Sequence, residues 1–213
     1  MNWRGVVYYL IGVGIGVVFH EYMHARIADW RGDHTARTAG RITLNPIPHI
    51  DPFGTVLLPL ALAILGRGVV PPFAYAKPVP VNPFFLRKRN DMMLIAIAGP
   101  LTNFALALAF AVLGRLLIVV GIKNYELFSL ILSIAWANVW LGIFNFIPIP
   151  PLDGSHILEY CLPAGPRASY ERFAEQIAQF GFVPVFLILW VLHGPLLTLL
   201  NPVFLLVEKI MGV

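Results

Sequence analysis

The sequence has few charged residues: only 12% of its 213 residues are Asp, Glu, Lys or Arg, whereas soluble domains carry about 25%. This shortage, together with a mean hydropathy of +0.77, argues against a soluble domain and predicts an integral membrane protein. The single cysteine, Cys161, excludes an intrachain disulfide. The net charge is +4, but the basic residues form no single patch, which argues against nucleic-acid binding.

Long apolar runs dominate the sequence. A helix needs about 20 apolar residues to cross about 30 Å of hydrocarbon. The runs of suitable length lie at residues 6–28, 92–120, 127–147 and 180–200. The tail that follows, residues 202–213, is predicted to lie along the membrane interface.

The region between the first two long runs follows a different pattern. An apolar run at residues 54–66 is short for a full crossing, and a proline-rich stretch follows at 76–83. We interpret residues 54–82 as a re-entrant or hairpin unit, with two thin crossings as the alternative. Residues 35–44 alternate in polarity and contain β-branched side chains, which predicts one or two short strands.

The positions of Lys and Arg predict the orientation. Four lie in residues 26–51, four in 77–91 and two in 155–176, whereas the connection after residue 120 holds only Lys123. The positive-inside rule is met if the three basic stretches face the cytoplasm. That arrangement requires the hairpin unit to enter and leave on the same side.

We therefore expect an all-α polytopic protein of the cell's inner (cytoplasmic) membrane. It should have about four full transmembrane helices, a re-entrant hairpin and short β-strands near the active site, all in one domain, 1–213. Its parts are the first helix at 3–28, the strand and re-entrant region at 29–91, the core helices at 92–161, and the C-terminal helix and tail at 180–213.

The most specific motif is HEYMH at residues 20–24. Residues four apart lie on one face of a helix, so the imidazoles of His20 and His24 can bind one Zn²⁺. Glu21 lies beside them, placed to accept a proton from water at the metal. Three ionisable groups within a transmembrane helix are costly, which favours a functional site.

A catalytic zinc site needs a third protein ligand and one open position. Asp51 and Asp91 lie in polar connections, whereas Asp153 follows the prolines of NFIPIPPLDG (145–154) directly after an apolar run. The spacing leaves two roles open for Asp153, namely metal ligand and N-cap of a short helix. The charge pattern places Asp153 and the HEYMH motif at the same side of the membrane.

Several motifs together resemble a known family. HEYMH, AGPLTN (98–103) and NFIPIPPLDG look like the site-2 protease family, the intramembrane zinc metalloproteases of peptidase family M50. GRITLNPIPHIDPFG (40–54) and AKPVPVNP (76–83) resemble its short bacterial and archaeal members without a PDZ domain. The five stretches occur in family order and span about two-thirds of the chain.

The resemblance implies a role for each matching residue. His20, His24 and Asp153 would hold one Zn²⁺ per chain, and Glu21 would be the catalytic base. Asn103 would contact the substrate or stabilise the oxyanion, with a helix–helix hydrogen bond as the alternative.

The resemblance also implies an activity and a weaker site residue. Asn145 would support a neighbouring group or satisfy the backbone. The implied activity is hydrolysis of peptide bonds in or near transmembrane segments of membrane proteins, with the active site towards the cytoplasm. Such a substrate must be unwound, and residues 35–44 and 73–81 are candidates to hold it by strand addition, with a simple cap over the site as the alternative.

Two other functions remain open at this stage. A membrane metal-ion transporter could also place His and Asp within apolar helices. A non-catalytic pseudoprotease is the other alternative, although the intact Glu21 argues against it. The sequence leaves the oligomeric state open.

Overall fold

The computed structural model describes residues 3–58, 60–61, 75–88, 90–181 and 183–212. The α-helices in these residues are α1 (Trp3–Trp30), α2 (Thr35–Thr38), α3 (Asp91–Val119), α4 (Tyr125–Asn145), α5 (Asp153–Cys161), α6 (Ala164–Ala178) and α7 (Val183–Met211). A π-helical turn lies at Pro52–Leu57, and 3₁₀ turns lie at Ile47–His49 and Pro83–Phe85.

Three helices among the described residues are long and apolar enough to cross a membrane. These are α1, α3 and α4, with mean hydropathies of 1.5, 2.0 and 1.9. They coincide with the first three predicted runs, so the prediction of a helical membrane protein is confirmed. The fourth predicted crossing, residues 180–200, overlaps α7 from Val183 onwards, but α7 is not one of these three, and the count of four crossings is not confirmed.

A stripe of small residues allows α1 to approach α4 closely. Gly12, Gly16, His20 and His24 follow one another at four-residue intervals and therefore share a face of α1. A Cβ on Gly12 would lie 2.8 Å from the backbone of α4, and one on Gly16 would lie 2.6 Å from the side-chain oxygen of Asn138. Small residues at such a contact let two membrane helices pack backbone to backbone.

The C-terminal tail differs from its prediction. Residues 202–211 do not form a separate interfacial segment but continue α7 to Met211. Pro202 removes one helical hydrogen bond, yet apolar packing holds the helix together beyond it. Val207 and Met211 are buried, and a Cβ on Gly114 of α3 would lie 2.7 Å from the Met211 side chain.

The short strands predicted near the site are not formed in the described residues. Residues 35–38 form helix α2, because Asp33 accepts hydrogen bonds from both the backbone N–H and the hydroxyl of Thr35. Such local side-chain bonds favour a turn over an extended chain. Turns and bends follow to residue 44, and residues 75–82 are irregular and pair with no strand, whereas residues 73–74 lie outside the described part.

The two ends of the predicted hairpin lie side by side. Tyr75 donates its N–H to Gly54 O at 3.0 Å, and Lys77 donates its N–H to His49 O at 3.0 Å. Residues 62–74 between these ends lie outside the described residues. The chain that departs near Gly54 thus returns next to it, as both the hairpin and the alternative of two thin crossings require.

The two basic loops that flank this unit contact one another. Arg31 forms an ion pair with Asp91, and Arg87 donates its N–H to Arg31 O at 3.1 Å. Asn82 donates its N–H to Asp33 Oδ2 at 2.7 Å. Both loops therefore lie at one end of the helix bundle, where α1 ends and α3 begins.

Candidate metal centre

The two histidines of HEYMH and the aspartate after the prolines come together near this end of the bundle. The Nε2 atoms of His20 and His24 lie 2.9 Å apart, and Asp153 Oδ2 lies 3.0 Å from the first and 3.2 Å from the second. One ion can contact all three atoms of such a triangle at about 2.0–2.2 Å, the usual range for zinc. His24 lies six residues before the end of α1, which places the site about 9 Å inside the bundle.

The other ring nitrogen of each histidine is held by the protein. His20 Nδ1 lies 2.7 Å from Asn103 Oδ1, and His24 Nδ1 lies 2.7 Å from Ile95 O. Both partners are oxygens that only accept, so each Nδ1 carries a proton and each Nε2 is left to bind a metal ion or a proton. A second ring nitrogen anchored in this way is typical of metal-binding histidines.

Asp153 is the first residue of α5, and Leu152 occupies the N-cap position without a side-chain hydrogen bond. The Asp153 carboxylate faces the histidines, which favours the ligand role over the N-cap role. Its Oδ2 is buried, and no other group among the described residues satisfies it.

The charge state of Asp153 suits a ligand. Burial raises the pKa of its carboxyl, but the positive charge of His24 and the hydrogen bonds that both histidines donate when Nε2 is protonated lower it more, so the pKa lies below its usual range. A shared cation would favour the ionised carboxylate in the same way.

Helix α3 passes the site at a glycine. A Cβ on Gly99 would lie 2.5 Å from His24 Nε2 and 2.6 Å from His20 Nε2, so a glycine leaves the space that the imidazoles and an ion require. The converging ring nitrogens, the orphaned Asp153 oxygen and this space together fit a divalent metal. Two histidines and a carboxylate are a usual donor set for zinc.

Glu21 lies half-buried beside His20, His24 and Asp153, which we call the metal-site residues. Its Oε2 accepts a hydrogen bond of 2.9 Å from the N–H of Val79. Val79 belongs to the irregular residues 75–82, which we call the cover segment. Oε1 has no hydrogen-bond partner among the described residues, so one carboxylate oxygen is held and the other remains available to water.

A cavity of about 510 Å³ lies between the metal-site residues and the cover segment. This volume is within the range of about 300–1,000 Å³ that is common for ligand sites. Apolar side chains of α1, α3 and α4 line much of it: Val17, Ile95, Ala96, Leu141 and Phe144. The cavity can therefore receive an apolar peptide next to the metal-site residues.

The structure places Asn103 and Asn145 differently. Asn103 is fully buried behind His20, and its two amide N–H groups donate to a backbone carbonyl of α1 (3.1 Å) and to Asn138 Oδ1 (3.0 Å). It has no spare donor for a substrate, which favours the helix–helix alternative. Asn145 lines the cavity and donates to Leu141 O at 3.0 Å, so it satisfies the backbone of its own helix.

Two features of the site, namely the buried Asn138 and the contact of Val79 with Glu21, could not be found from the sequence motifs. Asn138 is fully buried within the apolar helix α4, and its signal is simply a polar side chain in a predicted membrane span. The contact of Val79 with Glu21 uses a backbone N–H, so it cannot be predicted from a pattern of side chains.

These observations describe a helical membrane protein in which two histidines and an aspartate, beside a glutamate, could hold a metal ion. The sequence profile of peptidase family M50 matches residues 8–125 and 116–189. The chain belongs to peptidase family M50.

Three relatives agree with this assignment. YwhC of Bacillus subtilis, a proposed zinc metalloprotease, is 38% identical over 191 residues, which cover 86% of this chain and 80% of YwhC. Rip2 of Mycobacterium tuberculosis has the same description and is 32% identical over 79% of this chain and 61% of Rip2. A proposed zinc metalloprotease of Methanocaldococcus jannaschii is 32% identical over 71% of this chain and 69% of its own length. No solved structure gives a significant match.

Proposed function

We infer that this chain is a zinc-dependent intramembrane endopeptidase that hydrolyses peptide bonds in or near the transmembrane segments of membrane proteins. The observation that carries this function is the meeting of His20, His24 and Asp153 beside Glu21, in a cavity between apolar helices. Membership of a peptidase family and the relatives' description as zinc metalloproteases support it.

Each residue of the site has a defined part in this reaction. Zinc, when bound to His20, His24 and Asp153, supplies the Lewis acidity that activates water and the scissile carbonyl at neutral pH. Glu21 accepts the proton of the water at Oε1, while the Val79 N–H holds Oε2. The same carboxyl then donates this proton to the leaving amine.

The cover segment is our candidate for holding an unwound substrate. Alternate residues donate their N–H groups to the protein: Tyr75, Lys77 and Val79. Successive residues of an extended chain face opposite ways, and two of the residues that alternate with these donors, Pro78 before Val79 and Pro80 after it, have no N–H. The other edge offers carbonyls and few donors, so we propose that the substrate donates its own N–H groups to this edge.

We propose that the protein lies in the cell's inner membrane with the site towards the cytoplasm. The basic loops at residues 26–51 and 77–91 lie at the same end of the bundle as the metal-site residues. Cytoplasmic loops carry an excess of Lys and Arg, which supports this orientation.

The central experiment replaces the proposed base. Glu21→Gln keeps the shape of the side chain but cannot accept a proton, so we expect cleavage of a tagged membrane substrate by purified protein to fall by about 10²–10⁴-fold. Zinc measured by elemental analysis should stay at the wild-type level. Glu175→Gln, on the exposed surface of α6, is the matched control and should cleave normally.

Two results would contradict the proposal. Undiminished cleavage by Glu21→Gln would exclude Glu21 as the base. Zinc flux into proteoliposomes, without any cleavage by the wild-type protein, would instead favour the transporter alternative.

A further inference from the structure

Two buried side-chain amides connect helix α4 to the imidazole of His20. Asn138 and Asn103 are both fully buried. Asn138 Oδ1 accepts from Asn103 Nδ2 at 3.0 Å, and Asn103 Oδ1 lies 2.7 Å from His20 Nδ1. This connection lies on the side of His20 that faces away from the metal-binding Nε2.

The orientation of each amide is forced by its neighbours. Asn138 Nδ2 donates to Ile134 O at 2.9 Å and to Gly12 O at 3.4 Å, so its Oδ1 faces Asn103. Asn103 Nδ2 uses its second hydrogen on Gly16 O at 3.1 Å, so its Oδ1 faces His20. Reversing either amide would place N–H against N–H and carbonyl against carbonyl at fully buried positions, where unpaired polar groups are costly.

The consequence appears at His20. Asn103 Oδ1 is an acceptor, so it selects the tautomer of His20 with the proton on Nδ1 and leaves the lone pair on Nε2. An Asn103 side chain free to rotate could equally present its NH₂ group and select the opposite tautomer, which cannot bind a metal through Nε2. Asn138 Oδ1 and Gly16 O together remove that freedom, and Asn138 supplies the side-chain part of this restraint.

We propose that Asn138, acting through Asn103, is a positioning residue that sets the tautomer and ring direction of His20 for metal binding. This proposal rests on the zinc site of the proposed function. The hydrogen bonds of Asn138 among the described residues go to Asn103, Gly12 and Ile134 and not to the metal-site residues, and Asn138 lies 35 positions from Asn103 in the sequence.

His24 provides an internal contrast. Its Nδ1 is held by a backbone carbonyl, Ile95 O, which stays in place whatever the side chains are. His20 depends on two side chains instead. Substitution at position 138 should therefore affect one of the two imidazoles and leave the other in place.

The test uses two substitutions of Asn138 that remove the acceptor for Asn103. In Asn138→Ser the hydroxyl can bond to Ile134 O on its own helix but is too short to replace the amide. Asn138→Leu keeps the branching at Cγ and the number of side-chain heavy atoms but has no polar atom. Thr102→Val is the control, because Thr102 is the neighbour of Asn103 and bonds only to Ala98 O of its own helix.

The readouts are zinc affinity by chelator competition and the absorption spectrum of the Co²⁺ form, both on the folded full-length protein isolated by gel filtration. Loss of an outer partner of a metal-binding histidine costs about 10–100-fold in affinity, and we expect the lower end of this range for both Asn138 variants. Their Co²⁺ spectra should also differ from wild type, whereas Thr102→Val should match it.

The outcomes separate this proposal from the one on which it rests. Wild-type zinc affinity and an unchanged Co²⁺ spectrum in both Asn138 variants would overturn the positioning role, and so would a loss of thermal stability without a change in either readout. A wild-type protein that binds no zinc at these residues would instead overturn the proposed function.

Discussion

The floor of the site and its cover are built in different ways. The floor consists of the parts of α1, α3 and α4 that surround His20 and His24. Glycines bring these helices close together, and the amides of Asn103 and Asn138 are fully paired. The cover segment is irregular and is tied down by a few contacts, such as the bond from Arg41 to Lys77 O at 2.5 Å.

This difference matches two different demands on an enzyme within a membrane. Metal ligands work only when they are held to within about 0.5 Å of their productive positions, which a tightly packed floor can provide. A peptide must also enter the cavity, and segments with few buried contacts open at the lowest free-energy cost. The packed helices therefore hold the side chains in the geometry for metal binding. Movement of the irregular segments would give a peptide access to the cavity.

We expect the largest effect on zinc binding and cleavage from filling the space between Gly99 and the two imidazoles. In Gly99→Ala the new Cβ would lie 2.5 Å from His24 Nε2, so we expect zinc binding and cleavage to be lost. Alanine favours a helix over glycine by about 1 kcal/mol, so the helix itself should not be weakened. Elemental analysis and circular dichroism of the purified variant measure the two effects.

Gly14→Ala is the control for this substitution. Gly14 lies in α1, six positions before His20, and no atom of the described residues lies within 4 Å of its Cβ position. Zinc content and cleavage should stay at wild-type levels. Full zinc content in Gly99→Ala would show that the floor tolerates more movement than its contacts indicate.

A smaller effect is expected from loosening the cover. Arg41→Gln removes the charged donor to Lys77 O, a type of bond worth about 1.5–3 kcal/mol. Hydrogen–deuterium exchange in residues 75–82 should accelerate by about 10–100-fold, because the opening free energy falls by that amount. Zinc content should not change.

Arg37→Gln is the matched control for the cover. Arg37 bonds to Asp29 and not to the cover segment, so exchange in residues 75–82 should stay as in wild type. Equal exchange in both variants, whether fast or slow, would mean that Arg41 does not hold the cover.

We expect the smallest effect from removing the hydrogen bond that joins Val79 of the cover segment to Glu21 of α1. Val79→Pro removes the N–H that holds Glu21, between two residues that are already proline. We expect kcat to fall by about tenfold, which corresponds to the lower end of the roughly 1.5–3 kcal/mol that a hydrogen bond to a charged group is worth. Zinc affinity should be unchanged, and a loss of zinc would show that the contact supports the floor as well.

Local patterns predicted much of the fold. The bounds of the first three apolar runs agree with α1, α3 and α4 to within a few residues, because hydropathy and length suffice to define a membrane helix. The strand predicted at residues 35–44 failed, because two hydrogen bonds to Asp33 turn the chain at Thr35. The sequence predicts an interfacial tail after residue 200, whereas the helix α7 continues through Pro202 to Met211.

By itself the sequence determined that the chain crosses a membrane as helices and that His20, Glu21 and His24 occupy one turn of the first. These are local properties, set by hydropathy and by the helical period. Only the tertiary structure decided that Asn103 bonds His20 from behind, 83 positions away, and that Val79 reaches Glu21 from 58 positions away. Such contacts depend on how closely the helices pack and where the chain returns, which no local pattern contains.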